Sequence, residues 1–501
     1  MDEVTIPAAL DHAADRFGAR EALVDGPLRL TYAELARRVR QCARYFDAHG
    51  VRRGDRVALC SPNTWHWVIA ALGALYTGAT LVPVNTRFTA RETRDVLTRA
   101  NVSALVITGR FLGSDRLADL GDDLPPALLR IPVEGTDEPR EGVTEWAGLA
   151  RFEPEFTSPA EPGDVSDILF TSGTTGRGKG AMSNHRQALG VAAAWAACGE
   201  LTEQDRYLVI NPFFHSFGYK AGILAAILRG ATLLPQVTFA VRDTLALIEA
   251  ERITVLPGAP TIYQVLLDAP ERRAHDLSSL RLAVTGAANV PVALVERMQR
   301  ELSFDTVLTA YGLTEAVVAT MCRPDDDAKT VAHTCGRPAA GFEVRLGDLG
   351  EVLLRGPNVM LGYLDDPEAT ARAIDADGWL HTGDVGVLTA RGHLRITDRI
   401  KDMYVCGGFN VYPAEVEQAL GWLDGVAESA VVGVPDKLLG EVGKAYVRPR
   451  PGVTLSTEDV LAHCKKNLAN YKQPRQVEFR GELPRNASGK VLKRVLREEN
   501  R

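Results

Sequence analysis

Short apolar runs alternate with helical patterns along the chain up to about residue 340. Several stretches between the runs have the 3.6-residue periodicity of helices, for example residues 243–251 and 292–302. Buried strands that alternate with helices predict an α/β fold with two mostly parallel sheet layers. The strand-like runs cover residues 56–60, 79–84, 104–108, 167–172, 206–212, 231–236, 253–258, 280–286 and 305–312.

The pattern changes near residue 340. Four strand-like runs follow there without long helices between them, which predicts a β-rich subdomain; they cover residues 342–346, 351–356, 385–388 and 393–398. Beyond residue 400 the chain has the pattern of a small α/β unit, in which Pro413 suits the first position of a helix. We therefore predict a large N-terminal domain over residues 1–400 and a small, mobile C-terminal lid domain over residues 401–501.

Composition narrows the function classes. With 501 residues the chain is too long for one hydrophobic core. Its 46% hydrophobic and 24% charged residues are typical of globular proteins and exclude a disordered or fibrous chain. The net charge of −7 disfavours nucleic-acid binding, which needs a basic surface.

The sequence gives little indication of a targeting signal or a membrane segment. The first residues lack the basic and apolar regions of a signal peptide. Seven cysteines without a CxxC pair suit a reducing compartment, so we predict a cytoplasmic protein. Residues 67–84 carry no charge, but Gly73, Gly78, Thr80 and Pro83 favour a buried helix, a turn and a short strand over a transmembrane segment.

The strongest chemical feature is the segment FTSGTTGRGKG at residues 170–180. Glycines let backbone N–H groups wrap an anion, hydroxyls add hydrogen bonds, and Lys179 adds a positive charge. This chemistry suits a triphosphate. A P-loop is the alternative, but Gly180 stands where a P-loop has the Ser or Thr that holds Mg²⁺.

Several segments together resemble the AMP-forming acyl-CoA synthetases of the adenylate-forming superfamily. Gly178 departs from the Pro or Ser usual in that loop, which should loosen it. The resemblance covers most of the chain, and its segments occur in the family's order: TSGTTGRGKG (171–180), YGLTE (311–315), HTGD (381–384), DRIKDM (398–403), GGFNVYPAEVE (407–417) and PRNASGK (484–490).

The resemblance implies a nucleotide site. It implies that Thr314 contacts a phosphate and that Glu315 binds Mg²⁺. It also implies that Asp384 accepts hydrogen bonds from the ribose hydroxyls and that Arg399 assists near the ribose and phosphate. A carboxylate is the hard oxygen ligand that Mg²⁺ prefers. The remaining implied ATP and AMP contacts are Thr171, Ser172, Gly173, Thr174, Thr175, Gly176, Lys179, Gly286, Ala287, Ala288, Tyr311 and Gly312.

The resemblance also implies a two-step reaction. Lys490 stabilises the charge that develops during adenylation. Lys401 is the hinge about which the C-terminal domain rotates, and Gly407 and Gly408 leave room for the thiol of coenzyme A. Cofactors and substrates are then ATP, Mg²⁺, coenzyme A and a small carboxylic acid, with no nucleic-acid partner. Oligomeric state stays open, with a homodimer among the alternatives.

The acid pocket is expected near residues 211–224. His215 stands among three Phe residues, where the family positions substrate, and we expect no proton transfer from it. Phe217, Lys220 and the region of Val317 are further expected lining positions. Cys322 and Cys335 lack the spacing of metal ligands.

The acid itself is suggested by a narrower resemblance. Four segments are similar to family members that activate HIP, the methylated hexahydroindane-dione propanoate left from steroid C and D rings; they are residues 61–68, 211–224, 320–328 and 403–418. Open alternatives are a ligase for another medium-chain, aromatic or natural-product acid, an enzyme that loads a carrier protein, and a regulatory protein that keeps only the fold.

Overall fold

The structure is a computed structural model that describes residues 4–121, 124–125, 127–133, 140–171, 178–286, 290–407, 409–485, 489 and 491–500. The chain divides into two compact units. The first comprises Met1–Glu343 and Leu354–Leu380, and the second comprises Val344–Leu353 and His381–Arg501.

The helices begin with the local signals that the sequence provides. Side chains of Thr31, Thr89, Asn184 and Ser456 each form a capping box with the residue three positions later. Pro413 is the first residue of its helix, as predicted. Within the described residues the α-helices are α1 Ile6–Phe17, α2 Tyr32–Ala48, α3 Trp65–Tyr76, α4 Ala90–Arg99, α5 Arg116–Asp119, α6 His185–Cys198, α7 Ala225–Arg229, α8 Val241–Glu251, α9 Pro260–Asp268, α10 Val292–Glu301, α11 Ala328–His333, α12 Pro367–Ala373, α13 Pro413–Gly421, α14 Thr457–Asn467 and α15 Lys493–Glu498.

The strands follow most of the predicted apolar runs. They are β1 Glu21–Asp25, β2 Leu28–Thr31, β3 Arg56–Cys60, β4 Thr80–Pro83, β5 Ala104–Thr108, β6 Arg110–Phe111, β7 Ser114–Asp115, β8 Ala127–Ile131, β9 Thr144–Glu145, β10 Val165–Phe170, β11 Gly180–Asn184, β12 Arg206–Val209, β13 Thr232–Pro235, β14 Leu282–Gly286, β15 Thr306–Leu313, β16 Ala316–Met321, β17 Arg337–Pro338, β18 Glu343–Leu346, β19 Glu351–Arg355, β20 Gly362–Tyr363, β21 Leu380–Leu388, β22 Leu394–Arg399, β23 Tyr404–Cys406, β24 Phe409–Val411, β25 Val426–Asp436, β26 Gly440–Pro449 and β27 Gln476–Phe479.

One sheet of the first unit has the strand order β20-β11-β10-β4-β3-β5-β8-β9. Its strands from β10 to β9 are parallel, whereas β11 and β20 join antiparallel. The parallel strands are almost entirely buried, as expected when helices cover both faces.

A second sheet is assembled from two groups, β12-β13-β1-β2 and β14-β15-β16-β17. Val255 links them, because it pairs with Tyr207 of β12 and with Leu282 of β14. The strand predicted over residues 253–258 is thus reduced to one bridging residue, Val255, and Pro257 has no N–H group that could extend the pairing with β12.

The carboxyl ends of the parallel strands position the functional loops. Strands β12, β14 and β15 run in the same direction, so the loop with His215, Gly286 at the end of β14 and Tyr311 lie at the same edge of their sheet. In open α/β sheets, ligands bind at this edge.

The uncharged stretch at residues 67–84 forms most of α3, a turn and β4, all buried, as predicted. Among the described residues, no helix combines the length and the apolarity needed to cross a membrane.

The second unit has its own hydrophobic core. Its main sheet has the order β24-β23-β26-β25, with β27 added parallel to β26. The predicted β-rich region forms the sheet β18-β19-β21-β22. The predicted α/β class is therefore confirmed.

Candidate active site

The glycine-rich segment connects β10 to the antiparallel strand β11. At its base, the Thr171 N–H donates to the Lys179 carbonyl oxygen at 2.8 Å, and the Lys179 N–H donates to Thr171 Oγ1 at 3.3 Å. The chain returns along a strand, whereas a P-loop leads directly into a helix. The expected phosphate contacts in its middle lie outside the described residues; they are Ser172, Gly173, Thr174, Thr175 and Gly176.

Glu315 lies at the tip of the hairpin formed by β15 and β16, in a turn of two residues with Thr314. The Tyr363 hydroxyl donates to Glu315 Oε1 at 2.7 Å. Lys179 Nζ lies 4.7 Å from the centre of the Tyr363 ring, a cation–π distance. Tyr363 thus brings together the loop lysine and the carboxylate expected to bind Mg²⁺.

The state of Tyr363 is fixed by its surroundings. Burial, followed by the charge of Glu315, raises the pKa of the phenol well above its usual range. The hydroxyl is therefore protonated at neutral pH and acts as a donor. Tyr363 is placed by its strand β20, which pairs with β11 directly after the loop.

Two glycines permit close strand contacts on the expected adenine side. A Cβ atom on Gly286 would lie 2.6 Å from the Ala310 carbonyl oxygen, and one on Gly312 would lie 2.6 Å from the Val318 nitrogen. Both positions therefore require glycine. Tyr311 lies between them on β15 and is partly exposed. Ala287 and Ala288 lie outside the described residues.

His215 lies in a loop that Asn63 holds in place. Asn63 Nδ2 donates to the carbonyl oxygens of Val209 and Asn211 at 3.2 and 2.9 Å, and its Oδ1 accepts from the Phe213 N–H at 2.8 Å. Asn63 is itself buried. A single side chain therefore fixes the path of the backbone between β12 and His215.

The imidazole of His215 is neutral. The side chain keeps an exposed surface, while the protein atoms packed around it desolvate the ring. This desolvation lowers the pKa of His215 below its ordinary value. Nδ1 accepts from the Phe217 N–H at 3.2 Å, which leaves the proton on Nε2. A ring in this state can position a substrate by donating one hydrogen bond.

In the second unit, Asp384 and Arg399 are paired across strands β21 and β22. Arg399 Nε lies 2.7 Å from Asp384 Oδ1, and the Asp384 side chain is almost fully buried. The Asp384 N–H donates to Thr382 Oγ1 at 3.1 Å. The two residues expected near the ribose are thus neighbours held by a charge-assisted contact.

The expected hinge follows directly. Lys401 lies in the short 3₁₀ turn Ile400–Asp402, and its side chain lies outside the description. Before it, Asp398 Oδ2 accepts from the Ala414 N–H at the start of α13 at 2.8 Å. After it, Arg497 of α15 contacts Asp402 at 2.7 Å. The turn is therefore anchored on both sides.

Of the remaining expected residues, Gly407 is described. It has a left-handed φ of +58°, and its N–H donates to the Leu439 carbonyl oxygen at 2.8 Å. It lies between β23 and β24, with an exposed surface. Gly408 and Lys490 lie outside the described residues.

Comparisons with known proteins agree with this architecture. Residues 10–364 match the AMP-binding enzyme family, and residues 415–490 match the AMP-binding enzyme C-terminal domain. The chain belongs to the AMP-binding enzyme family. This AMP-binding enzyme is 60% identical to a 3-[(3aS,4S,7aS)-7a-methyl-1,5-dioxo-octahydro-1H-inden-4-yl]propanoyl:CoA ligase of Rhodococcus jostii, over 99% of each chain.

Two further relatives are informative. A ligase with the same name from Mycobacterium tuberculosis is 59% identical to this AMP-binding enzyme over 99% of its chain and 98% of the relative. The crystal structure of the anthranilate CoA ligase AuaEII in complex with anthranoyl-AMP matches with a TM-score of 0.89 and 25% identity, covering 100% of this chain and 98% of that one. The predicted class, an AMP-forming acid–thiol ligase, is confirmed.

The residues of this AMP-binding enzyme fit an Mg²⁺ ion. Glu315 offers a partly accessible carboxylate, of which the Tyr363 hydroxyl occupies only Oε1 within the described residues. No group of three or more ligating side chains occurs in that part of the chain. Mg²⁺ commonly binds through one or two carboxylates together with substrate phosphates, and this arrangement provides for it.

Sequence reasoning about this AMP-binding enzyme missed Tyr363 and Asn63. Neither stands out by residue type, and each acts through partners more than 40 positions away in the chain. Lys220, which was expected to line the acid pocket, is almost fully buried. Its ammonium group forms an ion pair with Asp167.

Proposed function

We propose that this enzyme uses ATP to convert HIP into its coenzyme A thioester. The observation that carries the proposal is the near full-length identity to ligases named for that propanoyl group. Phe213, Phe214 and Phe217 flank the neutral His215 in the sequence, and their rings would suit the mainly apolar body of a compact bicyclic acid.

In the first half-reaction, a carboxylate oxygen of the acid attacks the α-phosphorus of ATP and pyrophosphate leaves, which gives the acyl-adenylate. Thr171, Lys179 and the loop hydroxyls bind the phosphates, and Lys490 neutralises charge between the acid and the α-phosphate. Glu315 would hold Mg²⁺, which supplies further charge neutralisation when bound. Tyr363 orients the Glu315 carboxylate.

In the second half-reaction, the thiol of coenzyme A attacks the acyl carbon and AMP leaves. Asp384 and Arg399 retain the ribose of the adenylate, while Tyr311, Gly286, Ala287 and Ala288 enclose its adenine. The thiol arrives past Gly407 and Gly408. The C-terminal domain of residues 401–501 turns about Lys401 against residues 1–400 between the two steps.

Domain alternation predicts opposite effects for two substitutions. Lys490→Ala should abolish ATP–pyrophosphate exchange and spare thioester formation from synthetic acyl-adenylate. Gly408→Trp should spare exchange and block thioester formation, because the indole fills the thiol channel. Loss of the same half-reaction in both variants would contradict alternation.

The acid is tested by ATP–pyrophosphate exchange with HIP and with aromatic, medium-chain and natural-product acids. We expect the highest kcat/KM for HIP and release of AMP in the complete reaction with coenzyme A. A higher value for another acid would assign the enzyme to that acid. Turnover only with a carrier protein would favour the loading function, and release of ADP would refute the mechanism.

The proposed location rests on the cysteines. We place the enzyme in the cytoplasm, where reduced thiols persist. Six cysteines are buried thiols, namely Cys42, Cys60, Cys198, Cys322, Cys406 and Cys464. Labelling with a thiol reagent after denaturation in cell extracts would detect them if they are reduced.

A further inference from the structure

A buried lysine lies close to the expected acid pocket. Lys220 belongs to the π-helix Phe217–Leu224, which begins two residues after His215, and only 1% of its surface is exposed. A lysine is almost never buried to this degree unless its charge is paired. The π-helix is a rare geometry that often marks functional segments.

The ammonium group of Lys220 contacts two neighbouring strands. Its Nζ lies 2.9 Å from Asp167 Oδ1 on β10 and donates to Ser183 Oγ on β11 at 2.9 Å. Asp167 precedes Thr171 by four residues, and Ser183 follows Lys179 by four. One side chain therefore joins both strands that carry the glycine-rich loop.

The contact is completed by hydrogen bonds on the strand side. Ser166 Oγ donates to Asp167 Oδ2 at 2.7 Å and lies 3.2 Å from the Ser183 carbonyl oxygen. Both carboxylate oxygens of Asp167 thus face polar partners inside the protein. Desolvation offsets the attraction in a buried ion pair, so net stabilisation alone does not explain why Lys220 and Asp167 are buried together.

The other end of the π-helix is joined to His215. The Tyr219 N–H donates to the His215 carbonyl oxygen at 3.0 Å, and the Phe217 N–H donates to the His215 imidazole. A short series of contacts therefore runs from His215 through the π-helix and Lys220 to the two strands at the base of the loop.

We propose that Lys220 is a positioning residue that couples the acid pocket to the nucleotide loop. This inference rests on the proposed function for the placement of acid and nucleotide. The ion pair with Asp167 sets the position of the π-helix, and hence of His215, relative to the strands β10 and β11. Binding of either substrate then favours the arrangement that the other requires.

The test compares two variants. Lys220→Met leaves Asp167 buried without its partner and lowers the melting temperature. The double variant Lys220→Met/Asp167→Asn removes both charges and restores much of the lost melting temperature. In the double variant we expect the KM for acid and the KM for ATP to rise together by about tenfold, since small misplacements of bound reactants are costly. A matched control is Arg281→Met, which breaks the ion pair with Asp205 at the opposite end of β14.

Binding of α,β-methylene-ATP, measured by calorimetry, separates this inference from the proposed function. Weaker binding in the double variant, with parental binding in Arg281→Met, supports coupling whichever acid is the substrate. If HIP does not react although the parental protein binds the analogue, the proposed acid substrate is refuted, whereas the proposed coupling through Lys220 is not. Parental KM values and analogue affinity in the double variant would overturn the inference and leave Lys220 a purely structural residue.

Discussion

Replacing Tyr363 with Phe removes one hydroxyl group and retains the ring. The lost contact is the hydrogen bond to Glu315 Oε1 at 2.7 Å, whereas the cation–π contact with Lys179 depends on the ring and persists. The variant therefore isolates the orientation of the carboxylate that is proposed to bind Mg²⁺.

The expected effect can be estimated from this geometry. A hydrogen bond to a charged group contributes about 1.5–3 kcal/mol, and the lower value applies because Glu315 is partly exposed. A loss of about 1.4 kcal/mol corresponds to a tenfold change. We expect kcat/KM for adenylation to fall about tenfold and the Mg²⁺ concentration for half-maximal activity to rise.

The assay is ATP–pyrophosphate exchange over a Mg²⁺ titration. Tyr76→Phe is the matched control, because the Tyr76 hydroxyl also donates to a carboxylate, Asp11 Oδ2, at 2.6 Å. It should leave the Mg²⁺ dependence unchanged. If Tyr363→Phe behaves like Tyr76→Phe, Tyr363 does not orient the Mg²⁺ ligand and the reasoning fails.

Three further predictions concern stability, the pocket and the metal. Burial lowers the pKa of His185 to about 4 from an ordinary value of 6.5. As the pH drops from 6.5 to 4, the unfolded state therefore takes up a proton before the folded state does, and the free energy of unfolding falls by roughly 3 kcal/mol. His185→Asn should flatten melting temperature against pH in that window, and an unchanged slope would contradict this assignment. Gly218→Ala places a Cβ against the Pro212 carbonyl oxygen and should raise the KM for acid. The control Gly163→Ala meets nothing within 4 Å and should leave that KM unchanged. Equal KM values in the two variants would argue against a role for this loop in the acid pocket. Removing Mg²⁺ with EDTA should stop pyrophosphate exchange and spare thioester formation from synthetic adenylate, and loss of both would show a second role for the metal.

The sequence was sufficient for those features that depend on local patterns. The alternation of apolar runs predicted the α/β class, and Pro413 marked the start of α13 because its ring suits the first helical position. The segment 253–258 was harder to predict, since its apolar pattern is that of a strand although only Val255 forms β-bridges.

Features that depend on distant partners were not predictable. Nothing near Lys220 in the sequence indicates that Asp167, 53 residues earlier, lies beside it, and the family resemblance alone suggested a lining position. The π-helix has no local signature comparable to a helix cap, and Tyr363 acquires its role only because β20 pairs with β11.

The hydrogen bond from the Ala414 N–H to Asp398 spans the proposed pivot, because Asp398 precedes Lys401 and α13 follows it. A turn about Lys401, as proposed, would pull the first turn of α13 away from this acceptor. Losing such a helix cap costs about 1 kcal/mol, which is small enough to be reversed quickly. Asp398 would then stabilise one orientation of the C-terminal domain, and its replacement by Ala would shift the balance between the two proposed orientations.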